Sequence, residues 1–506
     1  MEKKNYIVAI DIGTSNVVIA VGSVDQEQGL KIEAVVSEPT EGMNAGMVDN
    51  SQSVGEALSK AHEKIKQQCG IIITDAYVSI SGKFVRCARY TDHVFVEDSE
   101  DRISQRDLKA LSDRMHNVKA ADGEIIMDLY PTLYKGDSGA EMTNPVGCYS
   151  KQLTSTYNFI LCEHIAKDRL RRVFLDAGIK IKNLYAGAAI IAEAVVNEDE
   201  KNEGVAVVDI GHGVTDVAVY YGGVLRYIAS IPIGSSAINS DINIYNRQIP
   251  PKTIESLKCM YGSAVVSETP DQLIQMKSRG RAIKPIQRLN LAAVIEARMT
   301  DIAEYVWNEI RESGYSKKLT AGIVLTGGGS SLQNVDKLFQ KITNMEVRVS
   351  CAEMGLSTEE QAKVSSPAST LAVALLLKGL EAGACPVGIS HSSAPVKPVV
   401  KPYAQEPQQT TAAEPRVQTP VAQTVAQPIS QPAQQTAPQR EEATQPTTQT
   451  APQTREDDNW EKEQTDDIAT SRGRGKGRFR SLINRFKESF DGAFRNPDEE
   501  EDGDDY

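Results

Sequence analysis

Two stretches of this chain, far apart in sequence, repeat one local design. Ile7–Gly22 reads IVAIDIGTSNVVIAVG and Val205–Gly223 reads VAVVDIGHGVTDVAVYYGG. In each, an apolar β-branched run ends in Asp-Ile-Gly, a turn of small residues follows, and a second apolar run leaves it. Such runs bounded by glycine read as paired strands. Glycine in the turn lets backbone N–H groups approach phosphate oxygens, and Thr14, Ser15 or Thr215 would add hydroxyl donors. Asp11 and Asp209 would direct carboxylates toward a hydrated divalent cation. One such hairpin is equally well an ordinary tight turn. Two copies, each opening a new α/β segment, point to duplicated domains that clamp one nucleotide from opposite sides.

A third glycine turn lies in AGIVLTGGGSSLQNV, Ala321–Val335. Here an apolar strand runs into Gly327, Gly328 and Gly329, and Ser330 and Ser331 are placed to cap a following helix. Such a turn accommodates a base, a ribose or a phosphate, or is a plain strand-to-helix connection. Around these motifs, strands are expected at Tyr6–Ile10, Val17–Val21, Ala76–Ile80, Val205–Asp209, Val217–Tyr220 and Ile323–Thr326. Helices are expected at Ser53–Gln68, Ile165–Ala177, Val294–Ser313 and Pro367–Leu380. The mixture is α/β.

Composition divides the chain further. From about Pro386 to Thr470 it is dominated by Pro, Gln, Thr, Ala and Val, too poor in large apolar side chains to offset ordering entropy, and it is expected to be a disordered tether. A flexible coil of ~80 residues reaches roughly 50 Å. Ser471–Tyr506 then holds a basic run, an amphipathic stretch and an acidic end. The formal net charge of −13 excludes a whole-chain electrostatic case for nucleic-acid binding. Seven scattered cysteines, none in CxxC spacing, read as reduced thiols in a cytosolic protein rather than a metal site. No signal-peptide apolar region opens the chain, and no apolar run approaches the ~20 residues that span a bilayer, so membrane contact is expected to be peripheral.

The order of hairpin, hairpin and glycine turn resembles the actin-like ATPases, and within them the FtsA family of bacterial division proteins. The likeness is carried by VVDIGHGVTDVAVYYGG, by NPVG (Asn144–Gly147), by LAAVIEARMTDIAEYV (Leu291–Val306), by the Ala321–Val335 turn and by the C-terminal amphipathic stretch. It implies a two-lobed actin-like α/β fold with a small α+β insert, followed by the tether and an amphipathic helix. It further implies ATP and Mg2+ as ligands. Asp11, Gly13, Thr14, Ser15 and Asn16 would form the first phosphate loop, and Asp209, Gly211, Gly213, Thr215 and Asp216 the second. Gly327, Gly328 and Gly329 would lie against the adenosine, with Asp11 and Asp209 holding Mg2+ through water. His212 departs from the family's glycine-rich run; it reads as a solvent-facing turn residue or a phosphate contact.

The implied organisation is subdomain IA at 1–82 and 164–203, an insert subdomain IC at 83–163, subdomain IIA at 204–232 and 301–385, and subdomain IIB at 233–300. The tether at 386–470, a membrane-targeting helix at 471–495 and an acidic tail at 496–506 follow. Enzymes of the actin fold need a group that orients the attacking nucleophile. Asn183–Ile191, ahead of the second hairpin, has no carboxylate, and Glu193 is expected to face solvent. ATP-dependent polymerisation with at most weak hydrolysis is therefore expected.

At 100° per residue, Phe479, Leu482, Ile483, Phe486, Phe490 and Phe494 share a stripe about 120° wide. Arg478, Arg480, Arg485 and Lys487 flank it, placed to snorkel toward anionic headgroups. The resemblance implies a protein that polymerises on the cytoplasmic face of the inner membrane at the septum, binds the C-terminal peptide of the tubulin-like FtsZ through IIB, and meets other division proteins. Arg279, Arg281 and Arg288 would offer charge to that peptide or form a solvated face. The competing readings are an actin-fold kinase or chaperone ATPase, and an actin-like scaffold of a secretion or pilus system.

Overall fold

The computed structural model describes residues 6–25, 29–247, 249–275, 277–278, 281–282 and 285–384. The tether 386–470, the stretch 471–495 with its membrane residues Arg478 to Phe494, the acidic end 496–506, and Arg279 lie outside the described residues, as does the Arg281 side chain. No helix among the described residues is long and apolar enough to cross a membrane.

In chain order the principal strands of the first part are β1 (Tyr6–Ile12), β2 (Asn16–Asp25), β3 (Gly29–Pro39), β4 (Asp75–Ile80), β5 (Val85–Phe95), β6 (Glu124–Lys135), β7 (Gln152–Glu163) and β8 (Lys180–Ala186). Those of the second are β9 (Val205–Ile210), β10 (Thr215–Tyr221), β11 (Val224–Ile231), β12 (Ile323–Thr326) and β13 (Val347–Val349). The longer helices are α1 (Ser51–Cys69), α2 (Gln105–His116), α3 (His164–Asp176), α4 (Ser236–Tyr245), α5 (Pro251–Tyr261), α6 (Arg288–Glu312), α7 (Val335–Thr343) and α8 (Thr370–Ala384).

Two five-stranded sheets share one topology. The first has the order β3-β2-β1-β4-β8 and the second β11-β10-β9-β12-β13. In both, the first three strands are antiparallel neighbours and the last two join in parallel. The central strands are apolar because both faces are covered: Ala9, Ile10, Val17, Ile19, Val205, Val207 and Val208 are buried. The lobes differ in what is inserted. The first carries a sheet of β5, β7, β6 and Glu141–Met142, on which α2 packs through Leu111 and Met115. The second carries α4, α5 and two short strand pairs, Leu273–Ile274 with Ile286–Gln287 and Lys277–Ser278 with Arg281–Ala282.

Local chemistry sets several boundaries. The Asn50 side chain accepts from the N–H groups of Gln52 and Ser53 to start α1, and Gly70 at φ 70° ends it in the left-handed region that glycine tolerates. α6 begins at Arg288, well before the expected Val294, because its buried face already starts at Leu291. The expected helix at Pro367 is a short 3-10 turn, Pro367–Ser369, followed by α8. α8 packs on β1, β2 and β4 of the first lobe, and Thr370 at its start bonds Thr326 of the second.

Candidate functional site

The two hairpin turns are built alike. Ile12 pairs with Val17 and Ile210 with Thr215, so the loops 13–16 and 211–214 have equal length. Each is closed by the same bond, Gly13 N–H to Asn16 C=O at 2.9 Å and Gly211 N–H to Val214 C=O at 2.9 Å. A β-carbon on Gly211 would stand 2.8 Å from the Val214 carbonyl oxygen, so glycine is required there. The loops meet across the cleft: a β-carbon on Gly213 would lie 2.6 Å from Thr14 Oγ1. The N–H groups of Thr14, Ser15, His212 and Gly213 have no hydrogen-bond acceptor among the described residues. Both loops line one cavity of about 320 Å³, inside the size range of small-molecule sites.

Gly327, Gly328 and Gly329 form the third wall. Gly327 takes φ 82°, and a β-carbon there would lie 2.0 Å from Asp209 Oδ1. Only glycine lets this turn close over the aspartate. Ser330 does not cap the next helix; its hydroxyl donates to the Gly327 carbonyl at 2.7 Å, inside the turn. Ser331 belongs to the same turn, and α7 starts later, at Val335, behind Asn334.

Asp11, Gly13, Thr14, Ser15, Asn16, Asp209, Gly211, Gly213, Asp216 and the three glycines all line the cavity. Thr215 does not. Its fully buried hydroxyl donates to the Ile233 carbonyl at 2.8 Å, so it holds the hairpin to the following segment and offers no donor to the cleft. His212 is half-buried in the cleft wall. Glu193 is a second correction: it is held between Lys201 at 2.8 Å and Lys378 at 3.4 Å. Burial opposes its ionisation, but these cations keep its carboxyl below the ordinary value. Arg288 is engaged as well, donating to the Tyr261 carbonyl and to Gln333 Oε1, each at 2.9 Å.

The electrostatics of the cleft are strained toward negative charge. Burial raises the Asp11 carboxyl, partly offset by the Ser79 hydroxyl that donates to it at 2.7 Å. Burial, then repulsion from Asp216 and Asp11, raises Asp209 well above the carboxylate range. Asp216 is pushed up to about 6, chiefly by burial, despite the Ser230 hydroxyl that donates to it. None of the three forms an ion pair with a cation among the described residues. No group of three or more His, Cys, Asp or Glu is arranged to ligate a metal directly among those residues. This donor set fits a hydrated cation held through water, and does not fit an inner-sphere metal site.

Sequence reading missed a further part of the cleft. Ser79 and Ser81 enter from the end of β4, and Glu255, Lys258 and Cys259 from α5. Lys258 is buried, paired with Glu255 at 2.9 Å, and donates to the Ser235 carbonyl. Their i, i+3 and i+4 spacing puts them on one helical face, but an amphipathic face alone reads equally as core or solvent.

A family model described as cell division protein FtsA matches residues 206–374. Cell division protein FtsA of Escherichia coli (strain K12) is 30% identical over 355 residues, covering 68% of this chain and 84% of that protein. Cell division protein FtsA of Bacillus subtilis (strain 168) is 28% identical over 351 residues, covering 69% of this chain and 79% of that protein. Among solved structures, the PilM-PilN type IV pilus biogenesis complex contains a chain of like fold. Its TM-score is 0.52 at 13% identity, covering 75% of this chain and 99% of that one. At that identity the likeness is one of fold alone.

Proposed function

Because this chain belongs to the FtsA family of cell division proteins, we propose that it binds ATP with Mg2+ between its lobes, assembles into filaments, and holds FtsZ filaments to the cytoplasmic face of the inner membrane at the division septum. The observation that carries the nucleotide reading is the meeting of two topologically equivalent loops on one cavity, with the N–H groups of Thr14, Ser15, His212 and Gly213 lacking an acceptor among the described residues. Free backbone donors on glycine-bearing turns are what a polyphosphate chain requires. Gly13, Ser15, Asn16 and Gly211 shape and line those turns, and the Gly327–Gly329 turn offers a flat wall for the adenosine.

Mg2+, when bound, neutralises phosphate charge. Asp11 and Asp209 would hold its water shell, and Asp216, which lines the same cavity, would add negative charge. Lys258 and Glu255 add polar contacts at the cavity wall. No described carboxylate is free to activate water in the segment before the second hairpin: Asn183–Ile191 has none, and Glu193 is committed to two lysines. ATP therefore serves as an assembly ligand, with weak hydrolysis or none. Turnover above about 1 per second, the floor of typical kinases, contradicts this.

The membrane part rests on sequence. The Phe479, Leu482, Ile483, Phe486, Phe490 and Phe494 stripe between Arg478, Arg480, Arg485 and Lys487 suits an interfacial helix. A single such helix binds reversibly, at ~1.5–3 kcal/mol per fully buried side chain before ordering costs, and a filament carrying many copies binds firmly. Segment 233–300 is the region for the FtsZ C-terminal peptide, and other division proteins share the remaining surface. Two of the five N–H donors of Arg288 are used within the lobe, which fixes its guanidinium in place and leaves the others for that peptide.

The test is co-sedimentation of the full chain with FtsZ filaments on anionic liposomes, with and without ATP. Recruitment that needs both ATP and an intact stripe supports the proposal; recruitment that survives Phe486→Asp contradicts the anchor.

A further inference from the structure

The second loop carries one side chain that its own geometry singles out. At positions 211 and 213 no side chain fits: a β-carbon would stand 2.8 Å from the Val214 carbonyl oxygen in one case and 2.6 Å from Thr14 Oγ1 in the other. Position 212 between them is not in the left-handed region, so a side chain is accommodated without backbone strain. Its backbone is fixed on the far side. The His212 carbonyl accepts from Ser236 N–H at 2.8 Å, and Gly234 packs so closely that a β-carbon there would lie 2.6 Å from the same carbonyl. His212 lines the cavity and its imidazole has no side-chain hydrogen-bond partner among the described residues, in a loop whose His212 and Gly213 N–H groups also have no acceptor among those residues.

We propose that the His212 imidazole is a phosphate-contacting group of the second loop, and that nucleotide binding here takes up a proton. The inference rests on the nucleotide reading of the cleft and adds to it a form of regulation, in which ATP affinity follows pH through one side chain. The charges that act on the ring are Lys258 and Glu255 from α5; Cys259 from α5, Asp209 and Asp216 from its own hairpin, and Asp11 from β1 line the same cavity. In the free protein, burial and then the charge of Lys258 lower the imidazole's proton affinity, against a smaller opposing effect of Glu255. A polyphosphate in the cleft reverses that balance, since an adjacent anion favours the protonated ring.

The sign follows. A group whose proton affinity is higher in the complex than in the free protein takes up a proton on binding. Affinity then rises as pH falls through the complex's value, and levels off below the free protein's value. One linked proton sets a ceiling of about tenfold in affinity per pH unit.

The experiment is calorimetric titration of the full chain with ATP and Mg2+ between about pH 6 and pH 8, where an imidazole titrates. Each pH is run in two buffers of different ionisation enthalpy, so that protons taken up are counted directly. His212→Gln and His212→Gly are run beside the wild type. Titration of Asp216 and of ATP itself contributes equally to all three proteins and cancels in the comparison. The expected result is proton uptake by the wild type, with affinity several-fold higher at the acid end, and a smaller slope and uptake in both variants. Equal slopes and equal uptake in all three overturn the role of His212 while leaving the cleft's function standing. No binding by the wild type at any pH overturns the nucleotide reading and this inference together. Either variant alone carries the comparison, so equal uptake by the wild type and by whichever variant folds contradicts the inference.

Discussion

The two lobes reach the same cleft by the same topology, yet they treat their central aspartates differently. Asp11 in the first lobe receives the Ser79 hydroxyl from the neighbouring parallel strand. Asp209 in the second is paired in register with Thr326, the counterpart on its own parallel strand, but that hydroxyl donates to Thr370 at the start of α8 instead. Asp209 has no side-chain donor among the described residues and lies opposite Asp216 in the ladder, so burial and neighbouring carboxylates raise it with no opposing hydrogen bond, whereas Ser79 works against the rise of Asp11. A duplicated fold thus supplies two equivalent positions, and one hydroxyl decides which carries more unrelieved charge. In the second lobe the hydroxyl is used to tie the return helix to the sheet.

The comparison breaks first at the third turn. Gly327→Val should abolish ATP binding and cost several kcal/mol of stability, because it combines a positive φ with direct overlap on Asp209. Its neighbour Gly328, where a β-carbon meets only Ala368 at 3.7 Å, should accept alanine with little change in melting temperature. Equal losses in both would show that the turn does not press on Asp209.

Glu193→Gln comes next. It leaves Lys201, which is buried, and Lys378 without their shared carboxylate, and should destabilise the protein by about 3 kcal/mol in chemical denaturation. Lys201 keeps its second partner, Glu198, which should hold the loss to that figure.

A pH series sharpens the account of the second lobe. The folded-state value of Asp216 is raised from 3.8 to about 6. A carboxyl raised in this way contributes stability that is present at low pH and lost as pH rises through the folded value. The nucleotide-free protein should therefore lose melting temperature between about pH 4 and pH 6, and Asp216→Asn should flatten that slope. A slope unchanged in the variant would assign the charge strain elsewhere. The smallest effect is expected from Ser79→Ala, which gives the first lobe the second's arrangement. It should cost about 1 kcal/mol and weaken Mg2+-dependent ATP binding a few-fold; an unaltered affinity would mean that the Asp11 contact has no part in the cleft.

The actin-like fold was legible in the sequence because the hairpins carry it twice, in runs whose apolar continuity follows from burial on both faces. Asp11, Asp209 and the two hairpin turns could be placed in one cavity from the same repetition, and the third glycine turn joined them only through the family resemblance. Thr215 could not be excluded, because alternation along a strand does not tell which backbone carbonyl a threonine hydroxyl will meet. Glu193 was misplaced for a related reason: its partners, Lys201 and Lys378, come from different elements and only the folded chain brings them together. The α5 contribution of Glu255 and Lys258 stayed hidden because nothing local marks one polar helix face as cavity wall. β6 was overlooked because all its residues but the exposed Asp128 and Lys135 are half-buried and give no clear two-residue alternation.

Calorimetric titration of the full chain with ATP and Mg2+, comparing the wild type with Asp11→Ala in one lobe and Gly213→Val in the other, tests the central claim most directly. One site per chain is predicted, with affinity reduced at least about tenfold by either substitution, the size expected when a bound charge loses a close partner. Binding that keeps its affinity when either lobe is altered would contradict a nucleotide held by both.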